Sequence, residues 1–169
     1  MIRITKGTVH LFTYKEGVLS AIAHDLRLTV KRFRVQVDGA NVTGFFMPES
    51  ITVDGAMKNG KLNERGLSDK DKSKIRSIMA GEVLRTSQFG KVNFTGIVTQ
   101  EGLALVARGE LELVGKKQQL EVAMRRRGDN ITGEIEIQPS RWGIKPYRAL
   151  GGTLKLQDRV RVVFELPAS

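Results

Sequence analysis

The stretch LRLTVKRFRVQV, residues 26–37, decides the fold because its apolar residues alternate with polar ones. The apolar residues of its first half are Leu26, Leu28 and Val30. Those of its second half are Phe33, Val35 and Val37. Alternate side chains of a β-strand share a face, and the two sets differ in parity, so the apolar face switches at Lys31-Arg32. A β-bulge there restores the pattern and bends the strand, as strands that curve around a barrel require.

The same alternation recurs along most of the chain. The segments are SITVDGAM (50–57), KVNFTGIV (91–98), GLALVARGELEL (102–113), QLEVAMR (119–125), NITGEIEI (130–137), GTLKLQ (152–157) and RVRVVFEL (159–166). Turn signals separate them, including Asp38-Gly39, Gly128-Asp129 and Gln157-Asp158. Short turns favour antiparallel pairing, and successive hairpins without intervening helices indicate a meander that closes into a barrel.

One segment, LSDKDKSKIRSIMAGEVL (67–84), breaks the strand pattern. Ser68 and Asp69 are good helix caps, and Ile75, Ile78 and Met79 then follow at helical spacing. We predict one amphipathic helix over about 68–83 and a short helical turn over 18–23. The fold class is therefore all-β with one main helix, in a single domain that spans residues 1–169.

The composition excludes several classes of site. The chain has no cysteine and only two histidines, which excludes disulfides, thiolate nucleophiles, cysteine-ligated metals and a three-histidine metal site. We expect no metal and no cofactor. The N-terminus MIRITKGTVHLF lacks the features of a secretory signal, and no apolar run approaches the ~20 residues that cross a bilayer, so we expect a cytoplasmic protein without a membrane span.

The net charge of +10, from 28 Lys+Arg and 18 Asp+Glu, favours anionic partners. The basic clusters are Lys31 to Arg34, Lys70 to Arg76, Lys116-Lys117 and Arg125 to Arg127. They alternate with apolar residues, which puts much of this charge outside the barrel. Aromatic residues do not interleave with them, and no nucleic-acid-binding motif is present, so no specific nucleic acid is predicted. Two readings stay open: a solvated surface, or a face that binds a polyanion.

His24 and Asp25 form the pair that most resembles a catalytic group. Neighbouring residues in a strand point to opposite faces, and no nucleophile such as a G-x-S-x-G serine accompanies them. We therefore predict no catalytic residue. The structural interpretation is that Asp25 caps backbone amides, while His24 lies at a barrel rim where it is satisfied by hydrogen bonds or touches a ligand.

With its elements in this order, the chain resembles the YceI-like family of lipid-binding barrels. The segments that carry the resemblance are GTVHLF (7–12), AIAHDL (21–26), KIRSIMAGEVLRTSQFGKVNFTG (74–96), GELELVGKKQQLEV (109–122), PSRWGIKPYRA (139–149) and LQDRVRVVFEL (156–166). The resemblance implies an eight-stranded antiparallel up-and-down β-barrel, lipocalin-like in shape, that holds a long apolar molecule in its lumen. It also makes a homodimer plausible.

The alternation and this family shape together predict the residues that contact the ligand. They are His24, Leu26, Leu28, Val30, Ile75, Met79, Phe94, Leu105, Leu111, Leu113 and Trp142. Trp142 has two readings, since it either packs on a ligand tail or plugs the bottom of the core. Gly109 and Gly133, at inward positions, either leave room for a ligand or mark bends of the barrel.

The predicted function is non-catalytic binding of a long apolar small molecule, isoprenoid-like, quinone-like or fatty-acid-like, for carriage, storage or sequestration. A lumen of eight strands is just wide enough to be filled by side chains or to hold one slim ligand. The alternative is a polyanion- or protein-interaction module that uses the basic exterior, with a filled barrel as its scaffold.

Overall fold

The computed structural model describes residues 1–16, 24–149 and 154–169. These residues form a mostly β structure with one α-helix. The strands are β1 Ile2–Ile4, β2 Thr8–Lys15, β3 Asp25–Val30, β4 Phe33–Asp38, β5 Asn41–Phe46, β6 Ile51–Lys58, β7 Lys61–Asn63, β8 Val92–Glu101, β9 Ala104–Leu113, β10 Lys116–Arg127, β11 Asn130–Ile137, β12 Arg148–Ala149 and β13 Leu154–Pro167. The helical turn predicted over 18–23 lies outside the described residues.

The strands pair antiparallel in one curled sheet, in the order β1-β4-β5-β8-β9-β10-β11-β13-β2-β3-β6-β7, and β12 pairs with β13. The meander from β8 to β11 follows the predicted hairpins. The prediction of a closed eight-stranded up-and-down barrel is wrong, because β1 and β7 are the two edges of an open sheet among the described residues.

Kinks in three long chain segments account for the difference. The sequence pattern located the kink at Lys31-Arg32, but the predicted β-bulge within one strand is wrong, because the chain divides there into β3 and β4. A 3-10 helix, Pro48–Ser50, separates β5 from β6, and Gly7, at φ 121°, lies between β1 and β2. Each half then pairs separately: β4 with β1 and β5, and β3 with β2 and β6. Hydrogen bonds from Lys31 N to Ser50 O and from Met47 N to Arg32 O join the halves.

The helix covers the place where the sheet is open. β8 pairs along β5 but, within the described part of the chain, not with β6. Helix α1, Asp69–Ile78, packs against β6 and continues as a π-helix, Met79–Val83. The Arg76 side chain donates hydrogen bonds to the carbonyl oxygens of Glu49 (2.7 Å) and Ile51 (3.3 Å), which fixes the helix to this edge.

The helix begins as predicted. Ser68 accepts a hydrogen bond from the amide of Asp71, and the Asp71 carboxylate accepts one from the amide of Ser68. This capping box satisfies two backbone donors that have no partner inside the helix. No helix in the described part of the chain is both long enough and apolar enough to cross a membrane.

One predicted turn is wrong. Gln157-Asp158 does not end a strand, because β13 runs unbroken from Leu154 to Pro167. The register against β2 shifts between Leu156 and Val160 instead, so the two residues lie in an irregularity of one long strand. Polar residues between two apolar runs fit either a turn or a bulge, and the local sequence alone does not separate the two.

The apolar faces lie where the alternation places them. Leu26, Leu28 and Val30 are buried on one side of the parity switch, and Phe33 is buried on the other. They belong to a core cluster that also includes Val9, Ile51, Leu67 and Leu166. The concave face of the sheet is therefore the apolar one, and the outer face carries the polar residues.

Candidate functional site

A cavity of about 490 Å³ lies inside the curled sheet. Its wall is almost entirely apolar and takes residues from the strands, from α1 and from the π-helix. Wall residues from the strands include Val9, Leu11, Leu28, Val35, Phe94, Leu111, Leu120, Val122, Ile135, Val162 and Phe164. Ile75, Ile78, Met79, Val83 and Leu84 line it from the helical segment and the residue after it. The volume is within the range of pockets that enclose a small organic ligand.

Most of the residues that the sequence singled out as ligand contacts face this cavity. They are His24, Leu26, Leu28, Val30, Ile75, Met79, Phe94, Leu111 and Leu113. Leu105 and Trp142 do not line it. Leu105 is on the same face of β9 as Ala107 and Leu111, which line the cavity, but it lies two residues further toward the β8–β9 turn.

Trp142 is a structural residue in this arrangement. It ends a 3-10 helix, Pro139–Trp142, and is 1% exposed. Its Nε1 donates a 2.9 Å hydrogen bond to the carbonyl oxygen of Leu111, and the guanidinium of Arg141 lies over its ring at 5.1 Å. Pro139 and Ile144, on either side of it in the chain, do line the cavity. The geometry matches the plug interpretation, since the indole fixes this segment to β9.

Gly109 and Gly133 leave no room for a ligand. A Cβ on Gly109 would lie 2.1 Å from the carbonyl oxygen of Thr95, because β8 and β9 approach closely there. A Cβ on Gly133 would lie 2.3 Å from the ring of Phe164, which packs over the bare backbone. The first glycine permits close strand packing, and the second accommodates an aromatic side chain on the neighbouring strand.

The polar residues of the cavity wall gather at one end. They are Thr13, His24, Lys145, Tyr147, Gln157, Asp158 and Arg159. Three of these bind the protein itself: Gln157 donates to the carbonyl of Lys15, Arg159 binds Glu136 at 2.8 Å, and Asp158 accepts from Ser140. The other four are Thr13, His24, Lys145 and Tyr147. The hydroxyl oxygen of Thr13 is buried and has no hydrogen-bond partner among the residues that the structure describes.

The sequence interpretation did not include Thr13, Lys145 and Tyr147 among the ligand contacts. Thr13 lies on the same inward face of β2 as Val9 and Leu11. The alternation of the strand therefore places its side chain in the cavity wall. Lys145 and Tyr147 lie in an irregular segment after Trp142, where no periodicity assigns a side chain to a face.

The side chains of His24 and Asp25 have different surroundings at the start of β3. Asp25, the first residue of β3, accepts a 2.8 Å hydrogen bond at Oδ1 from the amide of Lys15. This is the backbone-capping role expected for it. His24, one residue earlier, is half-buried and lines the polar end of the cavity. The two side chains therefore serve different purposes, one at the β2–β3 end and the other at the cavity wall.

Asp158 anchors the 3-10 helix to β13. It accepts hydrogen bonds from the amide of Ser140 (2.9 Å), from the Ser140 hydroxyl and from the side chain of Gln138 (3.1 Å). Partial burial raises the pKa of Asp158, but these hydrogen bonds outweigh it and hold the pKa below the ordinary value of 3.8. The carboxylate is therefore ionised at neutral pH, and the cavity wall carries a fixed negative charge beside the Trp142 segment.

A second polar cluster, which the sequence interpretation did not identify, lies on the outer face. Thr29 donates to Asp54 at 2.5 Å, and Arg27 donates to the same oxygen at 2.9 Å. His10 Nδ1 lies 3.0 Å from the Thr29 hydroxyl oxygen. Because that hydroxyl donates its only hydrogen to Asp54, it can only accept from His10. Nδ1 of His10 is therefore protonated and donates in this contact. The cluster depends on the register of β2, β3 and β6, which no local pattern reveals.

The His10 cluster has the residue types of a hydrolytic site but not its setting. It lies on the convex face, whereas the cavity opens on the opposite side of the same strands. Burial and the charge of Arg27 lower the pKa of His10 from 6.5, against the opposing effect of Asp54. Across the described ranges, no three His, Asp or Glu side chains are grouped so as to hold a metal ion.

Comparison with solved structures finds the same fold elsewhere. The chain is similar to Burkholderia cenocepacia BcnA, with a TM-score of 0.67, 17% identity and 96% of each chain covered. It is similar to a polyisoprenoid binding domain from Saccharophagus degradans, with a TM-score of 0.61, 10% identity and coverage of 96% of this chain and 93% of that one. A mutant YceI protein of Campylobacter jejuni with a monobromobimane guest gives a TM-score of 0.59, 10% identity and 90% coverage of both chains.

Sequence comparison leads to the same group. No curated protein matches the chain in sequence. The family model of the YceI-like domain, however, matches residues 6–168, which is nearly the whole chain. The chain therefore belongs to the YceI-like family.

Proposed function

We propose that this protein binds one long apolar small molecule in its cavity without transforming it. The ligand is isoprenoid-like, quinone-like or fatty-acid-like, and the purpose is carriage, storage or sequestration. The observation that carries the proposal is the cavity itself. A cavity of about 490 Å³ with an almost wholly apolar wall has the size of a small-ligand site and offers water few hydrogen-bond partners. An apolar chain placed there gains roughly 25 cal/mol for each Å² removed from water.

The polar end of the cavity supports an orientation for the ligand. Thr13, His24, Lys145 and Tyr147 lie together, while the rest of the wall offers no comparable set of donors. A buried hydroxyl without a partner costs free energy, and a polar ligand group that binds it removes that cost. The polar group of the ligand therefore lies at this end, and its apolar tail runs along Leu26, Leu28 and Leu111 toward the interior.

Membership in the YceI-like family and the likeness to a polyisoprenoid binding domain are in accord with an apolar ligand. The alternative of a scaffold with a filled lumen has no support in the cavity geometry, since the interior is open. A cytoplasmic location and a homodimer stay predictions. Cell fractionation and light scattering of the purified protein test them.

Blocking the cavity tests the proposal. Ala107, 4% exposed, lines the cavity from β9, and Ala123, exposed on β10, faces outward one residue along the same strand pair. Ala107→Trp places an indole in the ligand space, whereas Ala123→Trp adds the same group to the surface. We expect the first to weaken binding of a fluorescent polyene fatty acid at least about tenfold, and the second to leave it unchanged.

A second blocking variant guards against misfolding of the first. Met79→Trp introduces the indole from the helical segment, where Met79 is half-buried and a larger side chain requires no change of the sheet. Energy transfer from Trp142, the only native tryptophan, reports occupancy in the wild-type protein. The proposal is overturned if the wild type and both blocked variants bind the fatty acid equally. It is also overturned if the wild type takes up no fatty acid of any chain length.

A further inference from the structure

The end of the sheet at which the polar wall lies also carries many exposed cations. In an antiparallel sheet, alternate connections lie at opposite ends. The β6–β7 turn, the β9–β10 turn and the start of β13 lie at the same end as His24. The Lys116 side chain lies against Gly143, and Phe89 lies against Gly115, so the segments that carry Gly143 and Phe89 are neighbours of the β9–β10 turn.

We call the exposed cations of this end, together with those of the helical segment that covers the open edge of the sheet, the basic rim. It consists of Lys58, Lys61, Arg65, Lys70, Lys74, Arg85, Lys91, Lys116, Lys145 and Arg148, all of which are exposed. None of them forms a salt bridge within the described ranges. Arg85 contacts only the face of Phe89, at 5.0 Å. The rim therefore presents positive charge to an outside partner.

Acidic residues at this end do not neutralise the rim. Glu16 pairs with Lys155, and Asp158 is held by Ser140, so both are already engaged. Glu64, Asp69, Asp71 and Glu82 remain exposed among a larger number of cations. At the opposite end, Arg108 is bound by Glu101 and Glu121, and Asp38, Asp129 and Glu165 accompany Arg125 to Arg127. The ten exposed cations of the rim thus outnumber the four exposed carboxylates beside them, and the rim carries a net positive charge.

Helix α1 joins the rim to the cavity. Ile75, Ile78 and Met79 line the cavity, while Lys70 and Lys74 project from the exposed side of the same helix. A surface that holds this helix therefore acts directly on the wall of the ligand space. We propose that the basic rim docks the protein on an anionic lipid bilayer, with the polar end of the cavity directed toward the membrane.

Two observations favour a bilayer over a nucleic acid as the occupant. Among the described residues, the aromatic side chains beside the rim cations offer no series of rings on which bases stack, because Phe89 is covered by Arg85 and Gly115 and Tyr147 lines the cavity. The cavity behind the rim suits a molecule that dissolves in bilayers, and a carrier of such cargo gains from contact with a membrane. The observation about the cavity rests on the proposed function, whereas the charge distribution of the rim is independent of it.

Vesicle binding with charge-reversed variants tests the proposal. The rim variant is Lys70→Glu/Lys74→Glu/Lys116→Glu, and the matched control is Arg125→Glu/Arg126→Glu/Arg127→Glu, which makes the same change in charge at the opposite end. Sedimentation with phosphatidylcholine vesicles, with and without phosphatidylglycerol, measures binding. We expect wild type and control to bind only the anionic vesicles, and the rim variant to bind them roughly 100-fold more weakly.

Salt must weaken the interaction of the wild type steeply, because the charges are exposed. Equal loss of binding by both triple variants overturns the proposal, since the attraction is then a property of the total charge. Equal binding to neutral vesicles overturns it too. So does binding of a single-stranded RNA or of heparin without any binding to vesicles, which assigns the rim to a soluble polyanion.

The same variants separate this proposal from the function of the cavity. Neither triple substitution touches the cavity wall, so uptake of the polyene fatty acid from solution is expected to be unchanged in both. Vesicle binding without fatty-acid uptake contradicts the cavity function and leaves the docking surface intact. Fatty-acid uptake by a protein that ignores anionic vesicles contradicts the docking surface alone.

Discussion

His24 and His10, the two histidines, have different environments and different consequences. His24 lines the polar end of the cavity from the residue before β3. His10 lies on the outer face of β2, in contact with Thr29 and near Asp54. The first bears on the proposed ligand binding, and the second bears on the stability of the sheet.

His24→Ala is expected to leave the fold intact and to weaken ligand binding selectively. Loss of one hydrogen bond to a polar ligand group lowers affinity about 3- to 10-fold. A saturated hydrocarbon of the same length makes no such bond and must bind equally well to both proteins. Titration of a fatty acid and its parent hydrocarbon, with thermal melting as the check on folding, measures this. Equal affinities for the fatty acid would remove His24 from the site.

His10 makes the stability of the protein depend on pH. Its pKa is lowered from 6.5 in the folded state by burial and by Arg27, so the folded state favours the neutral ring. The unfolded state binds the proton more readily, and stability is therefore complete above about pH 6.5 and is lost as the pH falls below it. The residues that face His10 are Arg27, Thr29, Lys31 and Asp54.

Urea unfolding at about pH 8 and about pH 5.5 detects this effect. We expect the wild type to lose stability between the two conditions and His10→Gln, which has no titrating ring, to lose clearly less. An identical pH dependence in both proteins would mean that another group is responsible.

Single residues were predictable wherever a strand periodicity fixed the face. The inward positions of Leu26, Leu28 and Val30 follow from alternation alone, and all three line the cavity. The Thr29–Asp54 contact was not predictable, because it joins two strands whose relative register is set by the whole sheet. The sequence did not decide whether Trp142 packs on a ligand or is buried in the core, for a similar reason: its hydrogen-bond partner is a backbone carbonyl on the distant strand β9.

At the scale of elements, the sequence identifies strands and helix but not where long strands divide. The parity switch marks the kink at Lys31-Arg32. Pro48–Ser50 interrupts β5 and β6 without such a signal, and Gln157-Asp158 reads as a turn although the strand continues. A kink changes pairing partners, which is a property of the sheet and not of the local chain. The three kinks raise the eight expected strands to eleven, and the short strands β7 and β12 make up the thirteen strands of the observed sheet.

Helix α1 forms one wall of the cavity, so we expect its stability to affect how readily a bound ligand leaves. Ser68 accepts the cap hydrogen bond from Asp71. Ser68→Ala removes it at a cost of about 1 kcal/mol, and we expect ligand release to become several times faster. Ser73→Ala, on the exposed side of the same helix, is the control and must not speed release, since alanine favours the helix.

Stopped-flow transfer of a fluorescent fatty acid to excess vesicles measures both rates. Faster release from both variants, or from neither, would show that the start of the helix does not control the exit of the ligand.

At the scale of the whole molecule, the curled sheet separates an apolar interior from a basic surface. The apolar faces of β2, β3, β9, β10 and β13 enclose the cavity, and the basic rim includes exposed cations at the end with the polar wall. The sequence predicted an apolar lumen and an external charge. It did not predict that both meet at one end, because that depends on which turns share an end of the sheet.

The most direct test of the account is chemical identification of what the purified protein contains. Organic extraction followed by mass spectrometry is expected to yield one long-chain molecule per protein chain, present in the wild type and strongly depleted in Ala107→Trp. Delipidated wild type must then take up an added polyprenyl or fatty compound in the same ratio. Repeated extraction of the wild type without any lipid, together with no uptake of added compounds, would contradict the claim that the cavity is a binding site.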